Sequence, residues 1–225
     1  MIRAVVFDLD GTLVCSKVRP EDLRQEVLKV LSRLGLPPSF FSRDEELPRI
    51  LEKVEAYLKA SGFSEGDMAK FWGEITRALE AFEEAYAKTA SPIPGAIEIL
   101  ASLREKGLKI GLVSFSDSAV VMNLLAKLGI KRFLDVLVAR DFVDDPRPNS
   151  AHLLRALRDL GVEPGEAVLV SRSPSLIRYA KDVGMWAIGM AKGCGEEELR
   201  RAGSDLIAGS LSEVLSAISE LGQRA

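Results

Sequence analysis

The sequence predicts an α/β protein built on a doubly wound parallel sheet and interrupted once by an all-helical insert. Three observations carry that expectation. From Gly95 onward, short apolar runs alternate with amphipathic helical stretches. The runs Ile110-Gly111-Leu112-Val113 and Ala167-Val168-Leu169-Val170 are apolar throughout, as strands covered on both faces are. A similar run, Val5-Val6-Phe7, stands near the start of the chain, cut off from the others by a region with no strand pattern.

The first run leads into Asp8-Leu9-Asp10-Gly11-Thr12-Leu13-Val14, which reads as a buried strand delivering two carboxylates at its end before a glycine turns the chain away. Pro20 then suits a helix start, and Leu23, Val27, Leu28, Val30, Leu31 and Leu34 form a helical stripe that Gly35 and Pro37 terminate. A second helix is expected over 44–61, with Leu47, Ile50, Leu51, Val54 and Leu58 facing inward. Ser64 with Asp67 opens a third and longer one, whose Phe71, Trp72, Ile75, Phe82 and Tyr86 suit a bundle core. Ser91-Pro92-Ile93-Pro94-Gly95 has the composition of a stiff linker. The parent domain is therefore discontinuous, 1–14 joined with 92–225. Residues 15–91 form the insert, expected to stand over the strand ends as a lid hinged at its two linkers. Cys15, Ser16, Lys17 and Arg19, which follow the acidic turn, have the mixed polarity of such a hinge or of a site entrance.

Past the linker, helices are expected at 95–106, 117–128, 150–160, 174–183 and 211–221. Strands are expected at 108–114, 133–139, 167–171, 185–190 and 205–208.

Composition narrows the function. The chain has 225 residues, 47% of them hydrophobic, enough for a sizeable core. Thirty Lys and Arg stand against 33 Asp and Glu, a net charge of -3 with no basic block, so nucleic acid is not an expected partner. Cys15 and Cys194 lie far apart, and no signal peptide or apolar run of about 18 residues occurs, which suggests a reducing, cytoplasmic setting away from membranes. His152 is the single histidine, which excludes a histidine triad or a multi-histidine metal site. Its expected place is on a helix surface or partly buried.

Open α/β sheets bind ligands at the carboxyl ends of their strands, which is where Asp8 and Asp10 fall. Leu112-Val113-Ser114-Phe115-Ser116-Asp117 ends another strand in hydroxyls before a helix, so Ser114 and the backbone amide of Phe115 suit a phosphate oxygen. Asp144-Asp145-Pro146-Arg147-Pro148 is a proline-stiffened loop presenting one guanidinium, again suited to phosphate.

With these residues in place the chain resembles the haloacid dehalogenase superfamily, in the branch of phosphoglycolate phosphatases and β-phosphoglucomutases that carries a helical cap on a Rossmann-like core. The first motif of that superfamily, Asp-x-Asp-Gly-Thr, stands complete as Asp8-Leu9-Asp10-Gly11-Thr12. Further similarity runs through Ser114, the stretch Leu160 to Val170, Gly184-Met185 and Ala202-Gly203-Ser204-Asp205. The resemblance implies Asp8 as a nucleophile forming an aspartyl-phosphate and Asp10 as general acid and base. It also implies Mg2+ held by Asp8, the carbonyl of Asp10 and acids of a fourth motif, and a small phosphorylated metabolite as substrate. The lysine of the third motif corresponds to Arg147.

The fourth motif departs from the pattern. Where the family has Gly-Asp-Ser-x-x-Asp or Glu-Asp-Ser-x-x-Gly, this chain has Ser171-Arg172-Ser173-Pro174-Ser175-Leu176. Arg172 replaces the first acid and Leu176 the second, a change that weakens any Mg2+ site at Asp8 and Asp10. Three readings follow. Arg172 acts as a surrogate cation, keeping both aspartates ionised in a slow phosphatase. Alternatively the chain is a catalytically impaired descendant that binds a phosphorylated ligand or a protein. The third is a metal-independent dehalogenase-like hydrolase, which the retained Asp10 disfavours. Asp144 or Asp145 as a relocated metal ligand has less support.

Overall fold

A computed structural model describes residues 1–36, 40–41, 47–143, 150–191 and 195–224. Within them the chain divides into two compact units, Met1–Cys15 with Ala90–Ala225, and Ser16–Thr89.

The larger unit holds a six-stranded parallel sheet. Its strands are β1 (Ala4–Asp8), β4 (Lys109–Val113), β5 (Val136–Val138), β6 (Ala167–Ser171), β7 (Trp186–Met190) and β8 (Leu206–Ala208), in the order β5-β4-β1-β6-β7-β8. The doubly wound α/β architecture expected from the sequence is the one present. From β1 the chain winds outward in both directions, so the switch point of the topology lies at the end of β1. β1 is buried on both faces: Ala4, Val5, Val6 and Phe7 are fully enclosed. Removing each of the larger three from water contributes roughly 1.5–3 kcal/mol.

One face of the sheet is covered by α6 (Ala151–Leu160), α7 (Pro174–Asp182) and α8 (Glu196–Arg201). Val6, Leu169 and Ala187 pack there with Leu153, Leu157, Leu160, Leu176, Ile177 and Leu199. Three further helices, α4 (Ala96–Glu105), α5 (Ser118–Lys127) and α9 (Leu211–Arg224), complete the unit, with α4 and α9 packed together.

Three expectations need correction. Ser91 and Pro92 are not merely linker: as β3 they pair antiparallel with β2 (Val14–Cys15), and Ile93 N–H donates to the Leu13 carbonyl at 2.9 Å. The strand expected at 133–139 is shorter, because Lys131–Phe133 make a 3-10 turn with the Arg132 guanidinium 4.8 Å over the Phe133 ring. His152 is fully buried rather than at the surface or partly buried, since it belongs to the inward face of α6 with Leu153, Ala156, Leu157 and Leu160.

The smaller unit consists of α1 (Pro20–Arg33), α2 (Leu47–Ala60) and α3 (Glu65–Thr89). Val27, Leu31, Ile50, Val54, Phe71 and Ile75 form its core, the stripe that a 3.6-residue period requires. Ser64 caps α3, its Oγ accepting the Asp67 N–H at 3.2 Å and donating to Asp67 Oδ2 at 2.6 Å. The start expected for the second helix, 44–46, lies outside the described residues. Among the described residues no helix is long and apolar enough to cross a membrane.

Candidate active site

Asp8 ends the central strand. Val113 of β4 is level with it on one side and Val170 of β6 is level with Phe7 on the other, so Ser114 and Ser171 emerge beside the end of β1. Past Asp8 the chain folds tightly. The amides of Thr12, Leu13 and Val14 converge on the Leu9 carbonyl at 3.1–3.3 Å, and Gly11 N–H donates to the Val14 carbonyl at 2.7 Å. Gly11 sits at φ +72°, a conformation that L side chains rarely adopt. A Cβ there would also stand 3.1 Å from Nη1 of Arg172 and 3.4 Å from its Cδ, so the arginine lies along the turn that follows Asp10.

Two hydroxyls meet the Asp8 carboxylate, both on Oδ2. Ser171 Oγ donates at 2.8 Å and Thr12 Oγ1 at 3.4 Å. Each hydroxyl in turn accepts a backbone N–H, Ser171 from Ser173 at 2.9 Å and Thr12 from Arg172 at 3.3 Å. With a lone pair so occupied, the single proton of each is committed to Asp8.

The Asp8 carboxyl is raised from an ordinary 3.8 to about 7. Desolvation is the largest cause and the neighbouring Asp10 charge the second. Hydrogen bonds from Ser171, the Leu9 amide and Thr12 pull the other way without prevailing. The expectation that Arg172 keeps both carboxylates ionised is thus not met at Asp8. Arg172 itself is exposed.

Ser114 is 3% exposed and its Oγ accepts the Ser116 N–H at 3.2 Å. Neither its hydroxyl proton nor the Phe115 backbone N–H has an acceptor among the described residues. The Phe115 ring packs edge-to-face on His152, centroids 4.8 Å apart. Among the described residues neither imidazole nitrogen of His152 has a hydrogen-bond partner, and burial lowers its pKa from 6.5 to about 4, so the ring is neutral. Asp117 caps α5, its side chain accepting the Ala119 N–H at 2.9 Å.

Arg147, Asp144, Asp145 and Cys194 lie outside the described residues. The residues expected at a hinge or entrance are bonded locally: Ser16 Oγ bonds the Tyr86 carbonyl and Thr89, and Arg19 pairs with Asp22 at 3.1 Å.

A family model described as haloacid dehalogenase-like hydrolase matches residues 5–190. The chain belongs to that family. Among haloacid dehalogenase-like relatives, a glyceraldehyde 3-phosphate phosphatase of Methanopyrus kandleri is 29% identical over 201 residues, covering 86% of this chain and 85% of that protein. A phosphoglycolate phosphatase of Chromobacterium violaceum is 28% identical over 216 residues, covering 95% of each. Similar solved structures include a hydrolase from Pseudomonas syringae, with a TM-score of 0.68 and 19% identity over 96% of this chain and 98% of that one. CbbY from Rhodobacter sphaeroides in complex with phosphate has a TM-score of 0.63 and 24% identity over 95% and 96%. These structures speak for the fold.

The Mg2+ that a haloacid dehalogenase-like hydrolase implies does not fit the described residues. Arg172 lies beside Gly11 where an acid is expected, and Leu176 is 1% exposed, packed in the core. Among the described residues no group of three or more His, Cys, Asp or Glu is placed to hold a metal ion. Sequence reasoning singled out Asp8, Asp10, Ser114 and Arg172 but passed over Ser171, whose only local signal is its place directly after the apolar run of β6.

Proposed function

We propose that the chain is a phosphatase that removes phosphate from a small phosphorylated metabolite through an aspartyl-phosphate on Asp8. The observation that carries this reading is Asp8 at the switch point of the sheet, its Oδ2 held by two hydroxyls and Asp10 two residues further on. The phosphatases among the relatives support the substrate class.

In the first step a carboxylate oxygen of Asp8 attacks phosphorus, the phosphorus–oxygen ester bond breaks, and Asp10 gives its proton to the leaving alkoxide. Water then attacks the aspartyl-phosphate as Asp10 takes a proton from it, releasing inorganic phosphate and restoring both acids. Ser114 O–H and Phe115 N–H donate to the phosphoryl oxygens, with Arg147 as a further donor. Attack of one anion on another needs positive charge, and Arg172 supplies it to the substrate rather than to Asp8. One guanidinium carries half the charge of Mg2+, so turnover is slow.

The test is hydrolysis of a general phosphomonoester with Mg2+ or with chelator, in wild type, Asp8→Asn and Arg172→Asp. Chelator-resistant turnover that Asp8→Asn abolishes supports the proposal. Turnover that requires Mg2+ overturns the role of Arg172. An inactive wild type that gains Mg2+-dependent activity on Arg172→Asp supports the second reading, a binding protein descended from an enzyme, which the joint loss of acids at 172 and 176 favours.

A further inference from the structure

We infer that Ser171 is a positioning residue that fixes which oxygen of Asp8 attacks phosphorus. The inference rests on the aspartyl-phosphate reading above. A carboxylate has two equivalent oxygens, and rotation about its last bond presents either to a substrate. Here that choice is made by hydrogen bonds. Ser171 is fully buried, and its Oγ accepts the Ser173 N–H at 2.9 Å, so its proton has one remaining direction, toward Asp8 Oδ2 at 2.8 Å. Thr12 reinforces the same oxygen from 3.4 Å. Both hydroxyl bonds land on Oδ2, and Oδ1 carries neither.

The support is stiff as well as specific. Ser171 is the last residue of β6, which pairs in parallel with β1 from Ala4↔Ala167 through Phe7↔Val170, so two neighbouring strand ends set the distance between donor and carboxylate. The glycine or glutamate that the family pattern places at this position has no hydroxyl to give. An oxygen pinned by two donors is a poorer nucleophile and is held in place. The other bears neither hydroxyl bond and is held in one orientation, the near-attack geometry that catalysis rewards. Ser171 touches Asp8 and not the substrate, so its loss costs alignment during the chemical step and leaves ground-state binding intact.

The experiment compares wild type, Ser171→Ala, Ser171→Gly and Asp8→Asn for kcat, KM and melting temperature on one phosphomonoester. The expected result is a fall in kcat of about 10- to 100-fold in Ser171→Ala and Ser171→Gly, with KM within about twofold and the melting temperature of Ser171→Ala near that of wild type. Wild-type kcat in both serine variants, with Asp8→Asn inactive, overturns the inference and leaves the aspartyl-phosphate reading standing. A loss that tracks a lowered melting temperature, or a rise in KM at constant kcat, overturns it too. Turnover retained in Asp8→Asn, or absent from wild type, overturns the reading and the inference together.

Discussion

The ends of β4 and β6 use one local device for opposite purposes. Each strand stops at or beside a buried serine whose Oγ accepts the backbone N–H two residues on, Ser116 for Ser114 and Ser173 for Ser171. That bond fixes the rotamer and leaves one proton to be placed. At β6 the proton goes to Asp8 Oδ2. At β4 it has no acceptor among the described residues. The β6 serine thus gives its proton to Asp8, and the β4 serine keeps its own for a ligand on the reading proposed above. On that proposed reading, strand ends on either side of one carboxylate divide the work of preparing the attacker and receiving the target.

The largest expected effect concerns the attacker. With its pKa near 7, Asp8 is half ionised at neutral pH, and only the carboxylate attacks. We expect kcat/KM to fall below pH 7, by about fifty-fold at pH 5, in a pH–rate profile. The same shift has a consequence for stability. Its folded-state pKa lies above the unfolded 3.8, so Asp8 favours folding below pH 3.8, and that contribution is lost as pH rises through 7. Asp8→Asn should therefore be more stable than wild type at pH 8 by about 2 kcal/mol, discounted from the roughly 4 kcal/mol that a rise from 3.8 to about 7 would carry. The gain should vanish near pH 4, as measured by denaturant unfolding at both pH values. A flat pH–rate profile from 5 to 8 would remove the desolvated Asp8 from the chemistry.

Next in size is the receiving side. Ser114→Ala removes a donor to the phosphoryl group, and we expect KM to rise about tenfold, equivalent to ~1.4 kcal/mol, with competitive inhibition by inorganic phosphate weakened to match. The contrast with Ser171 then becomes a contrast in which kinetic constant moves. If Ser114→Ala lowers kcat alone, the two serines do the same job and the division between the strand ends fails.

Much of this architecture was legible in the sequence, and the parts that were not share a cause. Strand 167–171 was readable to the residue because five consecutive small or apolar side chains have no surface to face. Helix α8 was not, since Glu196–Arg201 holds five charged residues around Leu199 and shows no stripe. The acids at the end of the first run announce a site by local pattern. Yet the bond from Ser171 to Asp8 spans 163 positions and exists only because β6 lies beside β1, an adjacency that no local pattern encodes. His152 was misplaced for a related reason. A histidine among arginines and leucines in a helix looks like a surface residue, and only the packing of α6 on the sheet turns it inward.

That histidine gives the smallest expected effect and bears on how the β4 end is held. Phe115, directly after Ser114, rests edge-to-face on the neutral imidazole of His152, so that ring supports the residue proposed to donate its amide to the phosphoryl group. The ring is enclosed with neither nitrogen partnered among the described residues, a desolvation cost that a leucine of similar size would not incur. We expect His152→Leu to stabilise the fold by about 1 kcal/mol at pH 7, read as a shift in denaturant midpoint. The advantage should widen in acid. The folded-state pKa of His152 is depressed to about 4, so the unfolded chain takes up a proton below 6.5 that the folded chain refuses, and wild type loses stability between those two values while the leucine variant does not. If His152→Leu also leaves KM unchanged, the imidazole serves Phe115 as bulk alone. If KM rises with stability intact, the edge-to-face contact orients the Phe115 backbone toward the ligand, and the receiving side extends from Ser114 back into the core.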